Sequence, residues 1–408
     1  MKSVKDNKAY WIGQIPDDWE VIRGGFVYSI ETGDLDVNAE DPEGKYPFFT
    51  CSMFPKRINY YNFDCEALLV AGNGLVGFTQ YYKGKFNAYQ RTYVLTNFKK
   101  ILPGFLKHYV SNNLITEVTP KSQGSVIQFI KYNDLRDFNI VFPKDISKQK
   151  RIADFLDEKC SEIDKLSEDI QKEIDKLEEY KRSIIVETVT KGLDSDVRME
   201  NSGIEYVGLV PSAWKIAPLY LYFSERKNLN TILKENNLLS LSYGNIIRKD
   251  INTVGGLLPA SFSTYNIVEN NDIIIRPTDL QNDKNSLRTG LCKERGIITS
   301  AYIALKPKEG INSAYYHYLL HSFDIMKVFY NMGNGVRQGL NYSEFSKLMV
   351  LEPSQEEQNS IVVFLEKKVS EIDELKNIKR KQLEKLDQYK KSLIYEYVTG
   401  KKEVVDAS

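Results

Sequence analysis

The sequence has few of the residues that build disulfide-linked, metal-bound or membrane-spanning proteins. Its four cysteines (Cys51, Cys65, Cys160 and Cys292) form no CxxC pair, so we expect reduced thiols in a cytoplasmic protein rather than a disulfide framework or a zinc site. Its apolar runs, such as "EALLVAG" and "DIIIRP", are far shorter than the roughly 20 residues of a membrane span. The opening stretch "MKSVKDNKAYWIG" has no apolar segment typical of a signal peptide.

The chain also lacks a large excess of charge of one sign and a recognisable catalytic motif. Its formal net charge is zero, and only residues 206–355 lean towards basic, with 16 basic and 12 acidic side chains. It contains no phosphate-binding G-x-x-x-x-G-K-[ST] segment, no Asn-Pro-Pro-Tyr element of adenine methyltransferases, and no Ser or Cys nucleophile with an evident base. These absences favour a binding protein over an enzyme.

Two short patterns resemble functional motifs but favour ordinary structure. The segment "GNGLVG" at residues 72–77 fits a dinucleotide-binding pattern, yet an aromatic, strand-like segment follows it where a helix is required, which predicts a hairpin turn. His317 and His321 have the i, i+4 spacing of metal ligands but lack a third ligand nearby. We therefore interpret them as core or surface histidines.

The most informative feature is a repeat of about 200 residues. The phrase "WIGQIPDDWEV" at Trp11 returns as "YVGLVPSAWKI" at Tyr206, 195 positions later. The segment "RIADFLDEKCSEIDKL" at Arg151 returns as "SIVVFLEKKVSEIDEL" at Ser360, 209 positions later. The order and the nearly constant offset indicate a tandem duplication rather than a solenoid, whose repeats are shorter.

Each copy is predicted to contain a strand-rich region followed by a long charged helix, which gives an α+β fold. Apolar residues recur every three or four positions in both helices and form a narrow stripe. Such a stripe needs a partner stripe. We predict an intramolecular coiled coil, with pairing to another subunit as the alternative. The residues assigned to this interface are Ile152, Leu156, Ile163, Leu166, Ile174, Leu177, Ile361, Leu365, Ile372, Leu375, Leu383 and Leu386.

Polar loops in the two strand-rich regions are candidates for contacts with DNA. Arg side chains recognise guanine, and Asn or Gln side chains recognise adenine. The loops "KSQGSVIQFIKY", "QNDKNSLRTG" and "NMGNGVRQGLNY" carry most of these residue types. The predicted DNA-binding residues are Arg91, Gln123, Ser125, Gln128, Arg276, Gln281, Lys284, Arg288, Asn334, Arg337, Gln338 and Tyr342.

The duplicated phrases resemble a known family. The pair "IGQIPDDW" and "VGLVPSAW", with the helix pair "FPKDISKQKRIADFLDEKCSEIDKL" and "EPSQEEQNSIVVFLEKKVSEIDEL", is similar to the specificity subunits of type I restriction-modification enzymes. The resemblance implies two target recognition domains spaced by two antiparallel helices with pseudo-twofold symmetry. The expected divisions are recognition domains at 1–147 and 206–355, helices at 148–192 and 356–400, a linker at 193–205 and a tail at 401–408.

The resemblance also implies a function without catalysis in this chain. The expected role is recognition of a bipartite, non-palindromic duplex DNA site. The expected partners are two modification subunits that use S-adenosylmethionine to methylate adenine, and restriction subunits that use ATP and magnesium. No cofactor is expected in this chain itself. An adaptor protein with a coiled coil and duplicated protein-binding domains is the alternative from another class, and an enzyme with an unrecognised site is a third.

Overall fold

The computed structural model describes residues 4–5, 11–118, 129–252, 259, 261–278, 287–332 and 339–404. The chain divides into two compact units: unit 1 comprises Met1–Gln171 and Arg380–Ser408, and unit 2 comprises Lys172–Lys379. Each unit thus combines one strand-rich region with parts of two long helices. Within the described ranges, no helix has the length and apolar character required to cross a membrane.

Unit 1 is built around a six-stranded sheet. Its elements begin with β1 (Val4–Lys5), β2 (Ile15–Pro16), β3 (Trp19–Arg23), β4 (Ser29–Thr32), β5 (Tyr46–Phe49), β6 (Lys56–Ile58), β7 (Phe63–Ala71), β8 (Thr79–Ala88) and β9 (Thr92–Thr96). They continue with α1 (Pro103–Val118), α2 (Tyr132–Arg136), β10 (Asn139–Pro143) and the first part of α3 (Ile146–Lys191). The sheet order is β4-β9-β7-β8-β5-β6, and only β5 and β8 pair in parallel.

The central strand of the unit 1 sheet, β7, has an apolar sequence at its C-terminal end. The last five residues of β7, "ALLVA", are all buried, because Leu68 and Val70 pack into the main core of unit 1 while Ala67 and Leu69 pack into a second apolar cluster on the other face of the strand. The glycine-rich segment at residues 72–77 connects β7 to the antiparallel β8. The predicted hairpin turn is therefore confirmed.

Unit 2 repeats the plan with shorter strands. Its strands are β11 (Met199–Asn201), β12 (Leu209–Pro211), β13 (Lys215–Pro218), β14 (Phe223–Glu225), β15 (Leu239–Ser242), β16 (Asn245–Arg248), β17 (Asn266–Val268), β18 (Ile273–Ile275), β19 (Thr289–Leu291), β20 (Gly296–Ile298), β21 (Ile303–Pro307) and β22 (Met349–Glu352). Its helices are α4 (Ser313–Ile325), α5 (Tyr342–Phe345) and the first part of α6 (Gln355–Val398). A four-stranded sheet has the order β14-β21-β18-β19.

The duplicated tryptophan phrases pack against the ends of the long helices. In unit 2, α3 is followed by Gly192 at a φ of +80°, where a Cβ atom would lie 3.3 Å from the Trp214 ring. In unit 1, Gly400 after α6 has a φ of +74°, and a Cβ atom would lie 3.1 Å from Trp19. Both positions need glycine, because the left-handed backbone and the close ring disfavour any side chain. The repeated phrase is thus a docking site for a helix end.

A buried glutamine fixes the start of each long helix. In α3, the Gln149 amide nitrogen donates to the Pro143 carbonyl at 2.9 Å, and its amide oxygen accepts from the Leu102 backbone at 2.7 Å. In α6, the Gln358 amide nitrogen donates to the Pro353 carbonyl at 3.0 Å. The first bond satisfies the last carbonyl of β10 and the second satisfies the carbonyl directly after β22, so each helix begins at a defined point after its strand.

Within each unit, the two helix segments run in opposite directions. In unit 1, Lys390 of α6 contacts Asp164 of α3 at 2.6 Å, and the rings of Phe155 and Tyr397 are 4.6 Å apart. In unit 2, Lys181 contacts Asp373 at 2.7 Å, and Glu173 contacts Lys379. Residue numbers therefore rise along α3 as they fall along α6.

Burial along the helices follows alternate steps of four and three residues. In α3, a series of buried or half-buried residues with this spacing comprises Leu156, Cys160, Ile163, Ser167, Ile170, Ile174 and Leu177. In α6, the corresponding series comprises Leu365, Val369, Ile372, Lys376, Lys379, Leu383 and Leu386. Ile152 and Ile361 are also buried, in the cores of unit 1 and unit 2 respectively. Each lies one position N-terminal to the place where the spacing of four and three would put the preceding residue of the series.

Two residues of the predicted stripe depart from it. Leu166 is 49% exposed and Leu375 is 48% exposed. Each lies one position before the residue that continues the heptad spacing, Ser167 and Lys376 respectively. A shift of one position rotates a helical side chain by about 100°, so both leucines turn away from the neighbouring helix segment.

This difference in burial predicts different costs of truncation. Leu156 and Leu365 are fully buried, so Leu156→Ala or Leu365→Ala should lower the free energy of unfolding by about 2–5 kcal/mol. The repeat-matched controls Leu166→Ala and Leu375→Ala should change it by less than about 0.5 kcal/mol. Urea denaturation of the four variants measures this, and equal losses at all four positions would contradict the assigned helix faces.

Candidate nucleic-acid interface

A cleft of about 340 Å³ in unit 1 brings cationic, amide and aromatic side chains together. One wall is the turn between β8 and β9, which carries Gln90 and Arg91. The other wall is the segment Phe129–Tyr132 at the start of α2. Exposed cations beside exposed aromatic rings are typical of surfaces that bind nucleic acids.

The backbone beneath Arg91 is held by several hydrogen bonds. Its carbonyl accepts from the Gly72 backbone at 2.9 Å and from the Cys51 Sγ at 3.3 Å. The turn itself closes through a bond of 2.8 Å from the Thr92 nitrogen to the Tyr89 carbonyl. The Arg91 side chain is nevertheless exposed. It is therefore presented to solvent from a fixed support.

The aromatic wall is attached to the same support. The Ile130 nitrogen donates to the Gly72 carbonyl at 2.7 Å, and the Tyr93 hydroxyl donates to the Ile130 carbonyl at 3.0 Å. Burial, with a smaller effect from a nearby acid, raises the pKa of Tyr93, so its hydroxyl keeps the proton that it donates. These bonds fix the distance between the two walls.

The exposed groups on this wall are large and apolar or cationic. Phe129 is 53% exposed and Tyr132 is 49% exposed. The Lys131 Nζ lies 5.7 Å from the centre of the Phe129 ring, within the range of a cation–π contact. Aromatic rings left in water at a cleft indicate a binding surface rather than a core.

The structure describes four of the twelve sequence-predicted DNA-binding residues, and their surroundings differ. Arg91 lies in the cleft, and Arg276 is half-buried after β18. The hydroxyl of Tyr342 donates to the Phe223 carbonyl at 3.0 Å, so this half-buried ring holds α5 to β14. Eight further predicted residues lie outside the described ranges: Gln123, Ser125, Gln128, Gln281, Lys284, Asn334, Arg337 and Gln338.

Arg288 is a correction to the predicted DNA interface, because its side chain is fully buried. Its Nη1 donates to the Thr278 carbonyl at 2.6 Å, and its backbone nitrogen donates to the Asp324 carboxylate at 2.6 Å. The guanidinium Nε lies 4.0 Å from the same carboxylate. Arg288 therefore joins the segment before β19 to α4 and does not reach solvent.

Sequence reasoning missed the residues that share the cleft with Arg91. Gln90 adjoins the predicted Arg91, and Phe129, Lys131 and Tyr132 lie within the candidate loop "KSQGSVIQFIKY", but none of the four is among the predicted DNA-binding residues. An arginine directly after a glutamine between two strand-like segments is one signal that could have located the turn. No such signal reveals that Phe129 is exposed, since its apolar neighbours suggest burial.

The histidines that correspond in the two repeats have different environments. In unit 1, His108 Nε2 lies 2.8 Å from Asp157 Oδ1, and this hydrogen bond lowers the pKa of Asp157 to about 2. In unit 2, burial lowers the pKa of His317 to about 4 and that of its neighbour His321 to about 3. Both unit 2 rings are therefore neutral near pH 7. The two copies do not share a histidine acid–base site.

Comparison with known proteins gives consistent matches. The family model described as the type I restriction modification DNA specificity domain matches residues 16–176. The EcoDI specificity subunit of Escherichia coli, a type I restriction enzyme subunit, is 34% identical over 190 residues, which cover 47% of this chain and only 42% of that relative. The putative MjaX specificity subunit of Methanocaldococcus jannaschii is 23% identical over 431 residues, covering 96% of this chain and 95% of that protein.

A solved structure shows a similar fold. A chain from a structural study of complex assembly and conformational transition of the type I R-M system matches with a TM-score of 0.69 at 13% identity. The match covers 95% of this chain and 99% of that chain. The arrangement of strand-rich regions and long helices is therefore shared beyond recognisable sequence similarity.

The burial of Arg288 predicts a structural effect of its removal. Arg288→Ala leaves the buried carboxylate of Asp324 without the neighbouring guanidinium, which should cost about 3–5 kcal/mol of unfolding free energy. The control Arg248→Ala removes a 72% exposed partner of Glu294 and should cost less than about 1 kcal/mol. Urea denaturation measures the unfolding free energy of both variants. Hydrogen exchange of unit 2 peptides then shows the loss of stability in unit 2. Wild-type stability of Arg288→Ala would restore Arg288 as a candidate DNA contact.

Proposed function

Because the chain belongs to the family of type I restriction-modification specificity subunits, we propose that it is the DNA-recognition subunit of such an enzyme. It binds a bipartite, non-palindromic duplex site and positions modification subunits there. The observation that carries the proposal is the duplication of one architecture with different surface chemistry in each copy. Two related readers with different side chains recognise two different half-sites.

The long helices support this role by joining the two readers. We propose that α3 and α6 pair along their lengths as an antiparallel coiled coil related by a pseudo-twofold axis. Two observations support this pairing. The buried positions have heptad spacing, and the two units contain equivalent ion pairs in which α3 and α6 exchange roles. Asp164 of α3 pairs with Lys390 of α6, and Lys181 of α3 pairs with Asp373 of α6. Each residue has its counterpart 209 positions away.

An exposed helix patch occurs once in each unit and offers two equal docking surfaces. The patch in unit 1 is Lys159, Glu162, Leu166 and Tyr389, and that in unit 2 is Lys368, Glu371, Leu375 and Tyr180. The lysine and glutamate form an ion pair of 2.9 Å in both. Tyr389 is 58% exposed and Tyr180 is 53% exposed.

The geometry of the helix patch repeats between units. Lys390, next to Tyr389, contacts Asp164, which precedes Leu166 by two positions. Lys181, next to Tyr180, contacts Asp373, which precedes Leu375 by two positions. Two copies of one surface fit two copies of one partner. We assign the patch to the modification subunit, which is the partner expected twice.

The catalytic activities of the proposed enzyme belong to the partner subunits. The modification subunits use S-adenosylmethionine, and restriction subunits use ATP and magnesium. The two recognition domains correspond to residues 1–147 and 206–355, and the complex acts in the cytoplasm, where its DNA substrate lies. This chain contributes recognition and assembly.

The helix patch predicts a stepwise loss of modification subunits. Leu166→Glu places a charge in one patch and should leave one bound copy, because a buried unpaired carboxylate opposes docking. The double variant Leu166→Glu with Leu375→Glu should bind none. Native mass spectrometry of the chain co-expressed with its modification subunit measures the stoichiometry.

A matched control separates the patch from the helix in general. Val363 on α6 is 68% exposed, and its repeat counterpart in α3 is Asp154 rather than an apolar residue. Val363→Glu should therefore retain two copies. Two bound copies in the Leu166→Glu complex would refute the assignment of the patch.

The methylome of the host tests the proposed function directly. Deletion of the gene should remove adenine methylation at one bipartite motif. Exchange of residues 216–353 for those of another family member should change one half of the motif and preserve the other, because only one reader is replaced. An unchanged methylome after deletion would favour an adaptor protein, and changes in both halves would contradict independent reading.

A further inference from the structure

The cleft between the β8–β9 turn and the Phe129–Tyr132 segment has the chemistry of a base reader. We propose that Arg91 recognises a guanine in the half-site bound by unit 1, with Lys131 on the neighbouring phosphate backbone. This inference rests on the proposed function and specifies what one of its two readers detects.

Arg91 is placed to act on an external ligand. Two other arginines of unit 1 are engaged locally: Arg57 Nε donates to the Gly44 carbonyl at 3.0 Å, and Arg136 pairs with Asp137 at 2.7 Å. The guanidinium of Arg91, by contrast, has no ion pair or hydrogen bond among the described residues. Because its backbone is fixed by Gly72 and Cys51, little ordering of the main chain remains to be done on binding.

The choice of guanine follows from donor geometry. A guanidinium presents two parallel N–H donors, which match the O6 and N7 acceptors of guanine in the major groove. The adjacent Gln90 lines the same cleft, and its amide donates to Asp36 over 3.4 Å, near the limit of a hydrogen bond. Its amide group can therefore be exchanged for a base edge at small cost.

The side chains of the opposite wall have different roles. Phe129 and Tyr132 offer exposed ring faces for apolar contact with sugars or a thymine methyl group. Lys131 is a point charge with three rotatable donors, which suits a phosphate oxygen and carries little sequence information. The two cations of the cleft thus have separable roles, Arg91 in specificity and Lys131 in affinity.

The second copy lacks this pair of base readers. Tyr302 stands 209 positions after Tyr93, and the residues matching Gln90 and Arg91 are Thr299 and Ser300. A turn is kept one position later, since the Tyr302 nitrogen donates to the Thr299 carbonyl at 3.2 Å, and its central residues, Ser300 and Ala301, again include no arginine or glutamine. Only the half-site of unit 1 should therefore contain the guanine read from this turn.

The test uses the full complex with modification subunits. The half-site of unit 1 is the half of the methylated motif that survives exchange of residues 216–353. It must contain a specified G·C pair, and a half-site of A·T pairs alone would overturn the proposal. In the Arg91→Ala complex, that pair should become unspecified in the methylome while the other half-site stays intact.

Binding measurements separate base readout from charge. Arg91→Ala should weaken binding to the correct duplex about 5- to 150-fold, the loss expected for one bidentate base contact, with little change for a duplex altered at that pair. Arg91→Lys keeps the charge and should also lose most of the discrimination. Lys131→Ala should weaken both duplexes equally and reduce the slope of log K against log salt by about 1.

Three results would overturn the assignment. Equal weakening of correct and altered duplexes by Arg91→Ala, or retained discrimination in Arg91→Lys, would make Arg91 a phosphate contact. Loss of discrimination at pairs in both half-sites would place its effect on assembly instead. A wild-type complex without sequence-specific binding would refute the proposed function itself, which is a distinct outcome.

Discussion

Within each unit, the antiparallel contact between a segment of α3 and a segment of α6 is the constraint on which the fold depends. Neither helix can bury its narrow apolar stripe alone, so each unit takes the beginning of one helix and the end of the other. Ion pairs such as Asp164–Lys390 and Lys181–Asp373 lie beside these stripes and match opposite charges only when the helices run in opposite directions. In each unit, the strand-rich region packs against a helix end through a tryptophan, Trp19 in unit 1 and Trp214 in unit 2.

The long helices and the exposed turns of the strand-rich regions meet different physical demands. Some helix contacts repeat between the units, such as Asp164–Lys390 and Lys181–Asp373, because each unit buries an apolar stripe between two antiparallel helix segments. The turns need only preserve backbone bonds, so their exposed side chains are free to differ. Gln90–Arg91 and, one position later in the second copy, Ser300–Ala301 are the central residues of their turns, yet they offer different donors. The two copies can therefore share a backbone and still differ in the side chains that they expose.

The sequence predicted the framework well because its signals are local or repeated. Apolar spacing located both helices, which the structure places at Ile146–Lys191 and Gln355–Val398. It did not separate Leu166 and Leu375 from the stripe, because the choice between adjacent helix positions depends on the partner helix. The glycine segment before β8 was recognisable from the strand that follows it.

The candidate interface was less predictable because exposure is a tertiary property. Arg288 has the side chain of a base reader, but Asp324, 36 positions later on α4, accepts its backbone hydrogen bond within the core. Phe129 and Tyr132 have the side chains of core residues, but the bond from Ile130 to Gly72 leaves them at the surface. Arg91 was selected for its chemistry alone, and its fixed support became visible only in the fold.

The division of the chain has a consequence for the order of folding during synthesis. Unit 2 is continuous from Lys172 to Lys379, whereas unit 1 needs Arg380–Ser408 in addition to its first 171 residues. The buried side chains of Leu393, Ile394 and Val398 complete the same core as Trp19 and Leu106. The strand-rich region of unit 1, which is translated first, therefore keeps part of its apolar surface uncovered until the second part of α6 has been synthesised. The contact between Lys401 and Gln14 spans 387 positions, so unit 1 carries the larger loop-closure entropy.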